Sequence, residues 1–186
     1  MKEKAWESVK EILSIVIIAF VLAMILRLTL IECRFIPSGS MLPTLQLNTR
    51  VVVMKFAYWF QEPERGDIIV FKPPEELEVK DDYIKRVIGF PGEEIYIHDG
   101  VVYVDERALI EPYVQEAPNY TFGPTIVPDD SLFVLGDNRN LSHDSHAWNV
   151  WLQQDHIKGK AVVIYWPLSE VSLLERGIVM EPEVGL

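Results

Sequence analysis

Residues Ile12–Ile31 read ILSIVIIAFVLAMILRLTLI, an apolar run broken by one charge, Arg27. A helix of about 20 residues rises about 30 Å, the thickness of a bilayer's hydrocarbon core. A buried core helix is the first competing reading, but the run lacks a polar face and exceeds the usual length of core helices. A cleaved leader is the second, but the run is longer than a usual leader core and no small-residue cleavage site of the A-x-A kind follows it. The run is therefore expected to be an uncleaved single-pass anchor, with Arg27 snorkelling from near one end. Lys2, Lys4 and Lys10 precede it, while Arg34 and Arg50 follow it, so the positive-inside bias towards a cytoplasmic N-terminus is slight. No second run of spanning length occurs, which puts the body from about Phe35 to Leu186 on one side. The expected organisation is an N-terminal cytoplasmic segment (1–11), a transmembrane helix (12–31), a β-rich catalytic-sized domain (32–180) and a frayed tail (181–186).

Charge separates the same parts. Residues 1–34 carry five basic and four acidic groups, a net of +1, and the rest carry 12 basic and 24 acidic ones, a net of −12, so the acidity belongs to the body. An acidic body argues against a nucleic-acid partner, because phosphate binding needs a basic face. The single cysteine, Cys33, excludes an intrachain disulfide and any multi-cysteine metal site.

The body reads as mostly β. Short apolar runs at Val51–Met54, Ile68–Phe71, Ile84–Phe90, Ile95–Ile97, Val101–Val104, Leu132–Leu135 and Ala161–Tyr165 are separated by Gly, Pro, Asp and Asn. Asp99-Gly100 is a hairpin turn signal. Residues 109–130, rich in proline and polar groups, read as a loop or reduced subdomain, and a short helix is expected after Asp155. The fold class is an SH3-like or small barrel-like β domain.

Three stretches could carry chemistry. In Pro37-Ser38-Gly39-Ser40-Met41-Leu42-Pro43-Thr44, prolines stiffen a turn in which glycine permits a tight path. Such a turn can present a serine hydroxyl with a second hydroxyl and a main-chain N–H nearby, the parts of a nucleophile and oxyanion hole; an ordinary linker has the same composition. In Asp82-Tyr83-Ile84-Lys85-Arg86-Val87-Ile88-Gly89, strand alternation puts Lys85 and Arg86 on opposite faces, so one of the two cations points inward. A buried lysine becomes a neutral amine and hence a general base, whereas a strand-edge lysine stays charged in water. In Gly136-Asp137-Asn138-Arg139-Asn140-Leu141-Ser142-His143-Asp144-Ser145-His146, polar side chains can fix an irregular loop. A Ser-His-Asp triad and a metal site through His143, Asp144 and His146 are the alternatives there. They lack support from a G-x-S-x-G elbow or an H-E-x-x-H pair. His98 and His156 read as surface or hairpin residues.

In order, IPSGSMLPTL (Ile36–Leu45), RGDIIVF (Arg65–Phe71), YIKRVIGFPGE (Tyr83–Glu93) and GDNRNLSHDSH (Gly136–His146) resemble the type I signal peptidases, membrane-bound serine endopeptidases that remove signal peptides. The resemblance implies that Ser40 is the nucleophile and Lys85 the general base of a Ser-Lys dyad. It implies that Ser38 assists the oxyanion, and that Ser142 orients Lys85. Asp137, Asn138, Arg139, Asp144 and Ser145 would buttress the site. Ile36, Met41, Tyr83 and Ile84 would line shallow pockets for small residues at −1 and −3 of an added substrate strand. It implies no cofactor and no metal, with preprotein signal peptides and the lipid bilayer as partners. It places the catalytic domain on the extracytoplasmic face of a plasma or thylakoid membrane. His146 stands where relatives commonly carry arginine, giving Asp144 a titratable partner. The Asp-Ser-His-x-Trp ending, with Trp148, resembles the cyanobacterial and thylakoid-processing branch. A His- or metal-dependent hydrolase and a non-catalytic anchored β domain are the competing classes.

Overall fold

The computed structural model describes residues 2–181, with the side chains of residues 2–5, 7–9, 26 and 28 outside the described set. Helix α1 (Lys2–Leu30) is followed without a break by β1 (Ile31–Phe35). The helix thus starts well before Ile12 and stops one residue short of Ile31. Among the described residues, no helix is long and apolar enough to cross a membrane. Within α1, the side chains of Ile12, Leu13, Ile15–Ile18, Phe20–Leu22, Met24 and Ile25 are exposed, so the body does not cover them.

The body is mostly β, as expected from its short apolar runs. Its strands are β2 (Arg50–Met54), β3 (Ile68–Phe71), β4 (Tyr83–Gly89), β5 (Glu94–His98), β6 (Val101–Val104), β7 (Arg107–Ile110), β8 (Phe122–Ile126), β9 (Ser131–Leu135), β10 (Leu152–Gln153), β11 (Ile157–Trp166), β12 (Ser172–Leu173) and β13 (Val179–Met180). One sheet has the order β1-β2-β11-β3-β4-β9-β10, with β12 also on β11. The other runs β13-β7-β6-β5-β8. The described strands of this barrel-like β domain form two antiparallel sheets, the larger one running from β1 to β10.

Local chemistry explains several elements. Asp99-Gly100 makes the β5–β6 turn, both residues having positive φ, and sets the Ile95↔Val104 to His98↔Val101 register. Gly123-Pro124 is confined to β8, an edge strand, where a missing N–H breaks no ladder. The expected reduced subdomain between residues 109 and 130 therefore contributes an edge strand to the second sheet. The helix expected after Asp155 is absent: one 3-10 turn (Gln154–His156) leads straight into β11. There Ile157–Lys160 pairs with β3, and the β-branched Val163-Ile164 stretch lies between β2 and β12, so sheet pairing prevails. Of the expected tail, Glu181 is tied in by its N–H to Ala108 O and by Arg107 to its carbonyl; residues 182–186 lie outside the described residues.

The core falls into three buried clusters. One packs Ile36, Met41 and Leu45 on β2, β3 and β11. A second fills the space between the two sheets around Ile88, Ile95 and Phe133. The third groups Phe71, Val87, Leu132 and Trp148 on the far face of β3, β4 and β9. Strand β4 is covered on both faces, and this changes the expected picture of one inward cation. Lys85 is 4% and Arg86 1% exposed, so both are buried. Arg86 reaches Asp137 through two nitrogens (2.8 and 2.6 Å), donates to Gly66 O, Glu175 O and Arg176 O, and lies over the Tyr113 ring at 3.9 Å.

A buried pair of this kind punishes removal of one partner more than removal of both. Asp137→Ala in the full chain is expected to cost about 3–5 kcal/mol of unfolding stability. Adding Arg86→Met should recover part of the loss, as measured by denaturant unfolding in detergent micelles.

Candidate functional site

The serine loop is held from both sides. Beyond β1, Ile36 N–H donates to Thr49 O and Asn48 N–H to Ile36 O, so the strand pairing continues to the edge of the loop. Met41 and Leu45, both at 0% exposure, drop into the core, and Leu45 N–H bonds Met41 O. From the opposite side Asn138 donates its main-chain N–H to Ser40 O and its side-chain amide to Gly39 O, both at 3.1 Å. A Cβ on Gly136 would lie 2.4 Å from Ser40 O and 2.3 Å from the Ser142 hydroxyl, so only glycine lets these segments meet.

Against this loop stands Lys85. Its Nζ lies 2.9 Å from Ser40 Oγ and 3.2 Å from Ile84 O, with the Tyr83 ring 5.2 Å away. Burial pushes the ammonium down from 10.5 to about 8, with the Asp144 and Asp137 carboxylates opposing the shift. Ser38 Oγ is 3.5 Å from Ser40 Oγ. A hydroxyl beside an amine that is neutral at mildly alkaline pH is chemically a nucleophile and its proton acceptor.

The expected supporting loop is assembled behind Ser40. Asp144, fully buried, accepts Gly136 N–H at 2.8 Å and meets His146 Nδ1 at 2.6 Å, while the His146 ring stacks on Tyr120 at 3.9 Å. Ser145 Oγ accepts Val134 N–H at 3.0 Å. Arg139 forks onto Glu111 with two bonds of 2.6 Å and donates to Gly136 O. Asp137 pairs with Arg86. One expected contact is not made: Ser142 Oγ is buried and has no hydrogen-bond partner, so it does not reach Lys85. His143 accepts from Trp148 Nε1 at 3.2 Å, and His146 turns to Asp144, so neither histidine is arranged on a serine. Glu111 and Tyr120 carry no motif of their own, and Thr44 lies within the first block without a role assigned from sequence. They matter because the fold sets them against Arg139, Asp137 and His146.

In front of the dyad lies a cleft of about 590 Å³. One bank is residues 34–38 and the other residues 81–85, with Val70 and Leu141 among its apolar lining. Ile36, Tyr83 and Ile84 are among its lining residues. Met41 is not: it is fully buried, where it anchors the serine loop. Strand β4 pairs with β9 only from Arg86 onward, which leaves Tyr83–Lys85 without a β9 partner along the cleft.

The profile of the family described as Signal peptidase, peptidase S26, matches residues 9–166. The chain is 46% identical over 159 residues to a probable signal peptidase I-2 of Synechocystis sp., covering 84% of this chain and 72% of that protein. It is 46% identical over 162 residues to the signal peptidase I of Leptolyngbya laminosa, covering 84% and 79% of the two chains. It is 40% identical over 159 residues to a probable thylakoidal processing peptidase 2 of Arabidopsis thaliana, covering 83% of this chain and 43% of that protein. These relatives agree with the branch read from the Asp-Ser-His-x-Trp ending.

Lys85 links the site to stability. Between pH 8 and 10.5 the unfolded chain holds a proton on this lysine that the folded chain has released. Stability therefore rises with pH across that window, by roughly 3 kcal/mol in all. Lys85→Met removes the coupling. Its stability advantage over the parent should be largest below pH 8 and shrink towards pH 10.5, which paired unfolding curves will check.

Proposed function

Because the chain belongs to the signal peptidases of the peptidase S26 family, we propose that it removes N-terminal signal peptides from exported preproteins with a Ser40–Lys85 dyad. The 2.9 Å approach of Lys85 Nζ to Ser40 Oγ inside a dry site carries this reading. A signal peptide's end segment enters the cleft as an extended strand, taking its main-chain bonds from the open edge at Tyr83–Lys85 and from the Ile36–Ser38 bank. Small residues at −1 and −3 suit the shallow apolar lining around Ile36, Tyr83 and Ile84.

The chemistry follows from neutral Lys85. Ser40 Oγ passes its proton to Nζ as it attacks the scissile carbonyl, and the oxyanion is held by the Ser38 hydroxyl and the Ser40 main-chain N–H. The lysine then gives that proton to the leaving amine, and an ester to Ser40 remains. A water loses its proton to Lys85, attacks the ester, and restores the serine. Ser142, whose hydroxyl is unpaired in the resting site, turns to the lysine and orients it when the ammonium forms. The Asp137–Ser145 loop keeps Ser40 in place. No cofactor or metal enters any step.

The apolar run at 12–31 serves as the membrane anchor, with residues 1–11 cytoplasmic and the catalytic domain (32–180) on the extracytoplasmic side. The uncovered apolar side chains of α1 support this, since such a surface is stable only in an apolar surrounding. The site begins a few residues beyond the helix, where a signal peptide leaves the bilayer.

Ser40→Ala and Lys85→Ala are each expected to lower preprotein cleavage by on the order of 10⁴-fold with the fold intact. Activity retained in both would overturn the dyad. In the parent, kcat/KM should rise with pH through about 8, as Lys85 loses its proton. Cys33, the sole cysteine and exposed, reports topology. A membrane-impermeant maleimide added outside intact cells or vesicles of native orientation should label it, and labelling only after lysis would reverse the orientation.

A further inference from the structure

Two histidines flank the buried Asp144, and their partners make different demands on them. His146 turns Nδ1 to the Asp144 carboxylate at 2.6 Å, an acceptor that suits a charged ring as well as a neutral one. His143 accepts the Trp148 indole N–H on Nδ1 at 3.2 Å. An indole N–H only donates, so Nδ1 must keep its lone pair and the ring must be neutral, with its proton on Nε2. A second proton on His143 sets two donors face to face and breaks the bond. Proton transfer between Ser40 and Lys85 does not need His143, yet the residue sits in their cleft.

His143 is exposed and lines that cleft together with Ser38, Ser40, Tyr83 and Lys85. Behind it Trp148, 6% exposed, packs its ring 6.1 Å from Tyr83 and 6.2 Å from Phe71. The Tyr83 ring in turn lies 5.2 Å from Lys85 Nζ. The other titratable or charged groups of the cleft are Tyr83 and Lys85 on β4, Asp81 and Asp82 just before it, and Arg34 on β1. Asp82 is taken up by Arg34 and Lys158. In the loop of His143, Asp144 faces Gly136 N–H and His146, and Arg139 faces Glu111. A charged His143 therefore loses its indole partner and gains no ion pair from its own loop. We propose that His143 is a positioning residue: its neutral imidazole pins Trp148 and, through Trp148, the Tyr83 wall of the cleft, and its protonation releases that wall and weakens substrate binding. The cation so formed also faces an apolar substrate segment, which disfavours the complex further.

The inference rests on the cleft's assignment to signal-peptide substrate. Its test measures kcat and KM against pH for the full chain in detergent micelles with a signal-peptide substrate. In the parent, KM should rise about tenfold between about pH 8 and pH 5, as an imidazole takes up its proton. This is separate from the fall in kcat that follows Lys85. His143→Gln, whose amide oxygen can accept the indole N–H at every pH, should flatten the KM profile. His143→Lys, a permanent cation, should give the raised KM throughout. His156→Gln, at the surface, should keep the parental profile. The indole N–H resonance of Trp148, assigned by its loss in Trp148→Phe, should move with the same midpoint in the parent and stay fixed in His143→Gln. A parental KM profile in His143→Gln would overturn the inference. So would a flattened profile in His156→Gln, an effect confined to kcat, or an indole resonance indifferent to pH. Failure of the parent to cut the peptide would instead overturn the functional reading, while the indole resonance would still report on the His143–Trp148 bond.

Discussion

Burial of the Lys85 amine beside Ser40 organises the rest of the molecule. An ammonium in water is a poor base, and only removal of water brings its proton within reach of neutral pH. That removal needs a strand covered on both faces, which explains why β4 lies inside the larger sheet rather than at its edge. It also needs the Ser40 loop to pack as core. Met41 and Leu45 supply this by filling the space under β2 and β11.

Burying Lys85 creates a second demand, because Arg86 follows it and must enter the opposite side of the same strand. The chain meets it with Asp137 and three main-chain carbonyls, two of them from the C-terminal segment. Asp137 belongs to the loop whose neighbour Asn138 holds Gly39 and Ser40. The charge that satisfies Arg86 thereby helps to place the serine, and the second sheet adds Glu111 to hold Arg139 in that loop. Stability and site geometry share these contacts.

In the proposed reaction, substrate access depends on what the sheet leaves unpaired. β9 stops covering β4 before Lys85, and the opening so left is a strand-wide slot between two banks. The Arg34–Asp82 ion pair joins the two banks at 2.6 Å.

Much of this was legible beforehand. The apolar run, the β-rich body, the Asp-Gly hairpin and the four blocks around Ser40, Lys85 and Ser142 are local signals, set by periodicity, turn chemistry and motif spacing. The resemblance puts Met41 in a substrate pocket, but loop geometry turns it into the core. A helix was expected after Asp155 because its short pattern is ambiguous until β2, β3 and β12 are present to pair with it. One buried cation was expected from alternation, yet both are buried, because alternation says which face a side chain takes and not whether that face meets water. Sequence alone determined which residues could do chemistry and in what order they occur. Tertiary structure decided which of them are dry, which meet, and where the cleft closes, because burial and pairing depend on segments tens of residues apart in the chain.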